Sequence, residues 1–320
     1  FLSPNHPVNR DASVAVNQAG YTTQQPGSAH TKPIQMSIDT YAVPIYDAAD
    51  AAYYLPVIQH GWATKQYQFT ETPNQNVIAV PWRSEWWPGN VGNDRIIVIH
   101  DKVLDKTICL WMLNWQWQIA PWWRSSTVCA ARVTTIRGIS SYPYVDGKVD
   151  ERGSGLPKVA GVLTAADVKN NTVPALSLTV PNSRIGMAYR KGKATRNEIS
   201  TLALGQMGGV ITKARPDAET MPSGTAWKLM WSIADCQAHC AKFGITPLLP
   251  IWLGFRTKGV FAGETQWEGG TTCNLETDMG VNTRDAWKAL GVTTQAADQP
   301  YQRALAAIPA SAWMLCQEML

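Results

Sequence analysis

The chain has 320 residues, only 16% of them charged, and its net charge of +4 comes from 28 basic and 24 acidic residues. These charges are scattered, so the sequence offers no basic stripe of the kind that binds nucleic acid. No apolar run approaches the roughly 20 residues that a membrane-spanning helix needs. The composition therefore predicts neither nucleic-acid binding nor a transmembrane segment, and the fifteen tryptophans are its most unusual feature.

Residues 1–35 are rich in Asn, Gln, Pro, Ser and Thr without apolar periodicity, which predicts an extended N-terminal arm that contacts another surface or subunit. Residues 36–320 are predicted to form a single domain in which short β-like runs lie between turn residues. The predicted strands are, in chain order, Ile45 to Tyr46, Val77 to Pro81, Arg95 to His100, Thr107 to Leu113, Trp115 to Ile119, Ala131 to Ile136, Leu176 to Val180 and Ile185 to Tyr189.

Three stretches favour helices: Ala48 to Tyr54, Ser232 to Phe243 before Gly244, and Thr283 to Leu290 before Gly291. A loop from Gly153 to Thr164 precedes a further short helical turn. No internal repeat is visible, so propellers and solenoids are not favoured. The spacing of the strands predicts an all-β fold, a β-sandwich with a few short accessory helices.

The first residue is Phe1 rather than Met, which suggests either that a targeting segment has been removed or that the given sequence begins late in a longer chain. Six cysteines predict three disulfides in an oxidising compartment, with six buried free thiols as the alternative. Cys236, His239 and Cys240 lie close together, but no second Cys/His pair completes a zinc site, so no metal or other cofactor is predicted. We expect an extracellular or periplasmic protein with disulfides among Cys109, Cys129, Cys236, Cys240, Cys273 and Cys316, in which Cys109 pairs with Cys129 and the helical Cys236 and Cys240 reach Cys273 and Cys316.

A series of short motifs occurs in a recognisable order between residues 77 and 316. They are Asp94 to Asp101, Leu110 with Trp111, Gly155 to Gly161, Ala175 to Pro181, Pro222 to Gly224, and the helix end Lys242 to Gly244. This order resembles a family of secreted bacterial proteins of uncharacterised function. The resemblance implies a jelly-roll-like β-sandwich in an extracellular protein often found beside polysaccharide-handling genes.

The chain departs from that family at several polar positions. Pro174 stands where the family has His, Cys109 and Leu110 stand where it has Glu and an aromatic residue, and Ile245 to Pro247 replace an Asp-Asn-Gly. If those polar residues form a site in the family, it is dismantled in this chain. The departures favour a binding or structural role over catalysis.

Glycoside cleavage needs two carboxyl groups facing each other across a sugar, one of them held protonated. Glu85 lies among Arg83, Trp86 and Trp87, and Asp94 or Asp101 could oppose it; Glu264 and Glu268 beside Trp267 form a second candidate pair. The alternative is that the aspartates end a hairpin and the glutamates are solvated. A lyase would draw on His100, Tyr142, Tyr144 and Arg137, although their spacing indicates no site, and His60 and His100 are more typical of edge or core histidines.

Tryptophan is common where apolar area and one directed hydrogen bond are both needed, as on sugar-binding platforms and interfaces. Trp115 and Trp117 alternate with amides, so a strand would place both indoles on one face, which is either core or an open platform. In Trp86-Trp87 and Trp122-Trp123, strand neighbours point to opposite faces, so at least one of each pair is expected near the surface or at a subunit contact. The predicted binding residues are Trp82, Trp86, Trp87, Trp122, Trp123 and Glu85.

Three functions remain open. The leading one is an extracellular carbohydrate-binding or surface-assembly protein that acts through exposed aromatic residues without catalysis. The second is a polysaccharide-degrading hydrolase or lyase on the same fold. The third is a structural subunit of an extracellular lattice, filament or larger complex, suggested by the N-terminal arm, the low charge and the many aromatics.

Overall fold

The computed structural model describes residues 2–4, 6–9, 11–12, 33–39, 41–59, 77–89, 95–118, 126–141, 146–147, 151–152, 156–181, 226–266 and 272–316. These residues form two β-sheets that contain both parallel and antiparallel pairs, together with five α-helices. The prediction of an all-β sandwich is therefore wrong. The fold is mixed α/β.

The first sheet has six strands, and four of them come from the C-terminal third of the chain. In sheet order the strands are β1 (Ile34–Met36), β12 (Cys273–Leu275), β9 (Leu176–Pro181), β11 (Val260–Gln266), β10 (Ala226–Leu229) and β13 (Trp313–Cys316). The parallel pairs join β1 to β12 and β9 to β11, whereas the other neighbouring strands are antiparallel.

The second sheet has seven strands from the N-terminal half. In sheet order they are β2 (Ile45–Asp47), β5 (Ile97–Asp101), β6 (Lys106–Gln118), β7 (Ser126–Arg137), β3 (Tyr53–Gln59) and β4 (Val77–Trp82), and β8 (Asp146–Gly147) pairs with β7. The two predicted strands on either side of Asn114 are one long strand. A bulge at Met112, whose φ is +58°, interrupts its pairing with β7, which explains why two runs are visible in the sequence.

In the described part of the chain, five helices lie between the strands: α1 (Ala165–Asn170), α2 (Ile233–Phe243), α3 (Leu249–Thr257), α4 (Arg284–Ala289) and α5 (Pro300–Ala306). The predicted helices at Ser232 and Thr283 are confirmed as α2 and α4. α2 begins with a capping box in which Ser232 and Asp235 bond each other's backbone N–H, and it ends at Gly244 in the left-handed conformation. The predicted helix from Ala48 to Tyr54 is wrong, since a short 3-10 turn at Ala48–Asp50 leads directly into β3.

The largest apolar core joins the six-stranded sheet to its helices. It contains Trp227 and Leu275 from the strands and Trp252, Trp287 and Tyr301 from α3, α4 and α5. The seven-stranded sheet is buried on both faces near β5, because Ile97 and Ile99 belong to one cluster and Val98 to another. A strand buried on both sides needs a continuous apolar run, as this segment has.

The described part of the N-terminal arm packs on its own chain. Val8 and Ala12 are buried, the Val8 carbonyl accepts from Ala175 N–H at 2.7 Å, and Ala12 N–H donates to the Thr257 carbonyl at 2.7 Å. Ile34 lies in a sheet strand. The prediction that residues 1–35 supply contacts rather than core is therefore wrong for these residues, because intrachain backbone pairing satisfies a segment of low apolar content.

Cys109, Cys236, Cys240 and Cys273 are buried and form no disulfide, so the disulfides predicted at these four positions are wrong. The strand register explains why. Cys109 is opposite Thr134, five residues along β7 from Cys129, which is roughly 17 Å and exceeds the Cα separation of about 7 Å that a disulfide tolerates. The side chains of Cys129 and Cys316 lie outside the described set.

Candidate functional site

The tryptophans at the end of β4 and in the loop after it differ in burial. Trp82 and Trp86 are each 1% exposed; Trp86 stacks on Tyr46 with ring centroids 4.8 Å apart and meets Trp82 edge-on at 6.0 Å. The indoles of Trp82 and Trp86 are core groups, because a side chain without solvent access cannot stack on a ligand. Their prediction as binding residues is corrected on this ground.

Trp87 is 61% exposed, as expected for the neighbour of a buried tryptophan. Its backbone is nevertheless fixed by one side chain. The Tyr46 hydroxyl donates to the Trp87 carbonyl at 3.2 Å and accepts from Trp87 N–H at 3.2 Å. Burial raises the pKa of Tyr46, so the hydroxyl keeps the proton that it donates. An exposed indole is thus held on an ordered backbone.

The same tyrosine joins this loop to the segment after β12. Val281 N–H donates to the Tyr46 hydroxyl oxygen at 3.2 Å, and a Cβ on Gly280 would lie only 3.2 Å from the Tyr46 ring. Glycine therefore permits the close approach of the two loops. Between them lies a cavity of about 130 Å³, lined by Ile38, Asp39, Ala42, Pro44, Tyr46, Trp87, Pro88, Gly89, Met279, Val281 and Arg284.

Asp278 connects β2 to the loop after β12, a role that no sequence pattern indicates. Its Oδ1 accepts from Ile45 N–H at 3.1 Å and from Gly280 N–H at 3.3 Å, which ties β2 to the second loop. Burial raises the pKa of Asp278 to about 7, although the two backbone hydrogen bonds oppose the shift. Its carboxyl group is occupied by backbone groups, so its part in the site is structural.

Glu85, the predicted carboxylate of the site, is exposed. Its Oε2 lies 3.2 Å from Arg83 Nε and accepts from the Ser84 hydroxyl at 3.0 Å. Its own backbone N–H, then Ser84 and Arg83, lower the pKa of the carboxyl group. Glu85 is therefore ionised at neutral pH and does not meet the requirement of a glycosidase for a carboxyl group held protonated.

The remaining candidates are dispersed. Asp101 accepts from Leu104 N–H at 2.9 Å and so closes the turn between β5 and β6, as the hairpin alternative predicted. His100 is buried within β5, and burial lowers its pKa. Arg137 is exposed at the end of β7. Outside the described residues or side chains lie His60, Asp94, Trp115, Trp117, Trp122, Trp123, Tyr142, Tyr144, Glu264, Trp267 and Glu268.

A second polar cluster lies where the chain carries the Gly155 to Gly161 motif. Arg152 is fully buried and forms an ion pair with Glu276 at 2.5 Å, and its guanidinium also donates to Ser177 Oγ at 2.8 Å and to the Ala160 carbonyl at 2.9 Å. Burial raises the pKa of Glu276, but the charges of Arg152 and Lys158 outweigh it and lower the pKa overall. Every group here is enclosed, so the cluster fixes the loop and does not offer a ligand site.

Within the described part of the chain no helix is both long and apolar enough to cross a membrane, and no group of three or more His, Cys, Asp or Glu side chains could hold a metal ion. Comparisons with models of protein families, with curated proteins and with solved structures give no match. The resemblance to secreted bacterial proteins therefore stays a prediction.

Proposed function

We propose that this protein binds a carbohydrate at the surface around Trp87 and does not cleave it. The observation that carries the proposal is the exposed indole of Trp87 on a backbone that Tyr46 fixes by two hydrogen bonds. Because the loop is already ordered, stacking a sugar on the indole costs little further conformational entropy.

Polar groups beside the indole suit a hydroxylated ligand. Asp39 and Arg284 are both exposed at the cavity rim, so one can accept and the other donate hydrogen bonds to sugar hydroxyls. The cavity of about 130 Å³ is below the 300 to 1,000 Å³ typical of enclosed small-molecule sites. An extended ligand would therefore lie across the cavity with one unit seated in it, as a polysaccharide chain can.

The same residues argue against cleavage. Asp39 is the one carboxylate among the cavity-lining residues that the structure describes, and Glu85 is ionised. Two opposed carboxyl groups, one of them protonated, are what the hydrolase alternative requires. An extracellular location also stays a proposal, and disulfides do not support it at the four described cysteines, because these cysteines form none.

A glycan array followed by calorimetric titration of the glycans that bind tests the proposal. Trp87→Ala should weaken binding by about 1 to 3 kcal/mol, the usual loss on removing an aromatic anchor. Tyr54→Ala is the matched control, because Tyr54 is an equally exposed aromatic residue on β3 outside the cavity lining, and it should bind like the wild type.

Two results would count against the proposal. Equal affinities of Trp87→Ala and the wild type would remove Trp87 from the binding surface. Release of reducing sugar by the wild type that disappears in Glu85→Gln would show that the protein is an enzyme.

A further inference from the structure

A larger cavity lies on the other sheet, where the N-terminal segment, the end of α1, the start of α2 and the outer side of α3 meet. Its volume is about 450 Å³, within the range of small-molecule sites. Val173, Ile233 and Leu253 supply apolar wall, and Ile233 remains 51% exposed. Asn9, Arg256 and Lys258 supply the polar side.

Both charged residues of this cavity are cations. Lys258 Nζ is already engaged, since it donates to the Asn9 carbonyl at 2.6 Å and lies 2.8 Å from the carboxylate of Asp11. Arg256 is less engaged. Its Nε donates to the Trp231 carbonyl at 3.0 Å, and within the described residues its two terminal nitrogens have no hydrogen-bond or ion-pair partner. The cavity thus presents the two terminal nitrogens of a half-buried guanidinium, which no described protein group engages, beside apolar wall.

Helix stabilisation explains only part of this arrangement. Arg256 lies in the last turn of α3, where a cation interacts favourably with the helix dipole. That role needs neither a cavity nor free terminal nitrogens. A planar guanidinium whose two terminal nitrogens are available fits the paired oxygens of a carboxylate or sulfonate.

The wall is closely built. A Cβ on Gly254 would come within 2.4 Å of Val173 Cγ1, so glycine allows α3 to pack tightly against the segment after α1. The packing between α3 and the segment after α1 is therefore tight. The cavity is formed by the positions of Ile233, Leu253 and the two cations around it.

We propose that this cavity binds a small organic anion with an apolar body. The anionic group would accept hydrogen bonds from the terminal nitrogens of Arg256, and the apolar body would lie against Ile233, Leu253 and Val173. This site is separate from the surface around Trp87 and does not depend on carbohydrate binding.

Fluorescence titration with 8-anilinonaphthalene-1-sulfonate tests the site, because this probe combines a sulfonate with an apolar ring system. The wild type should bind it saturably, and octanoate should displace it better than uncharged octan-1-ol. Arg256→Gln should weaken probe binding by about tenfold, the loss expected for one charge-assisted hydrogen-bonded pair. Arg303→Gln is the matched control, since Arg303 is an exposed arginine in the last turn of α5 and does not line the cavity.

A second variant separates binding from folding. Ile233 is the first residue of α2, where an acidic side chain is favourable to the helix, so Ile233→Glu should fold normally while placing a negative charge in the cavity wall. It should weaken probe binding, whereas Trp87→Ala should not. Wild-type affinity in both Arg256→Gln and Ile233→Glu, or no saturable binding by the folded wild type, would overturn the proposal.

Discussion

Single residues in this fold differ sharply in how much free space surrounds them. Gly161 has a φ of +73°, and a Cβ there would lie 2.6 Å from both Phe261 Cε1 and Ser177 N. Gly244 has a similar φ of +68° but no atom within 4 Å of its Cβ position. The two glycines therefore separate the cost of backbone conformation from the cost of a steric clash.

We expect Gly161→Ala to lower the free energy of unfolding by roughly 2 to 4 kcal/mol, because strain at positive φ adds to overpacking. Gly244→Ala should cost only about 1 kcal/mol, since it carries the backbone strain alone. Urea denaturation of both variants measures the difference. Equal losses would mean that the loop around Arg152 can move to accept a side chain.

Of the described residues at the candidate site, Trp87 was among those predicted from the sequence, and the polar residues Asp39 and Arg284 were not. The adjacency of Trp86 and Trp87 was enough to expect that one indole is exposed. The sequence could not distinguish which of the two it is, because that depends on Tyr46, some 40 positions earlier. Asp39 and Arg284 were missed for the same reason, since each reaches the cavity through long-range packing.

At the scale of elements, α2 was predicted from the signals at its two ends, and α3 was missed. α2 has its capping box and its terminal glycine, whereas α3 contains Pro250 and Gly254, residues that argue against a helix. Pro250 is tolerated because it lies in the first turn. Strand β3 pairs in parallel with β7, and β9 with β11, and no local sequence pattern indicates these long-range pairs. The sandwich prediction was wrong because it could not include this strand order.

The N-terminal segment differs most from its prediction, because its described part is buried against its own chain. The same substitution at a buried and at an exposed valine tests whether this burial contributes to stability. Val8 is 1% exposed and Val103 is 89% exposed. We expect Val8→Asp to destabilise the protein by about 3 kcal/mol or more, because it buries an unpaired charge in the core. Val103→Asp should change stability by less than about 0.5 kcal/mol. Thermal unfolding measures the melting temperature of each variant. Equal melting temperatures for the two variants would mean that the N-terminal segment is a detached arm.

At the scale of the whole molecule, buried carboxyl groups set how stability depends on pH. Burial raises the pKa of Glu151 and of Asp278 to about 7, from ordinary values of 4.5 and 3.8. The folded protein therefore binds more protons than the unfolded chain between about pH 4 and pH 7, and stability falls as the pH rises through this window. The lowered pKa of Glu276 has the opposite sign, since its contribution is present above pH 4.5 and is lost as the pH falls. His100, whose pKa burial lowers, likewise favours the folded state at higher pH.

Asp278→Asn isolates one of these groups. The amide keeps the Oδ1 that accepts from Ile45 and Gly280 N–H, so the link between β2 and the loop should persist while the titration is lost. We expect the decline in unfolding free energy between pH 4 and pH 7 to become shallower, by as much as about 1.4 kcal/mol per pH unit where Asp278 alone titrates. Asp285→Asn, at an exposed carboxylate paired with Lys288, should leave the slope unchanged. Urea denaturation at a series of pH values measures both slopes, and an unchanged slope in Asp278→Asn would show that this carboxyl group is already ionised in the folded protein at pH 4.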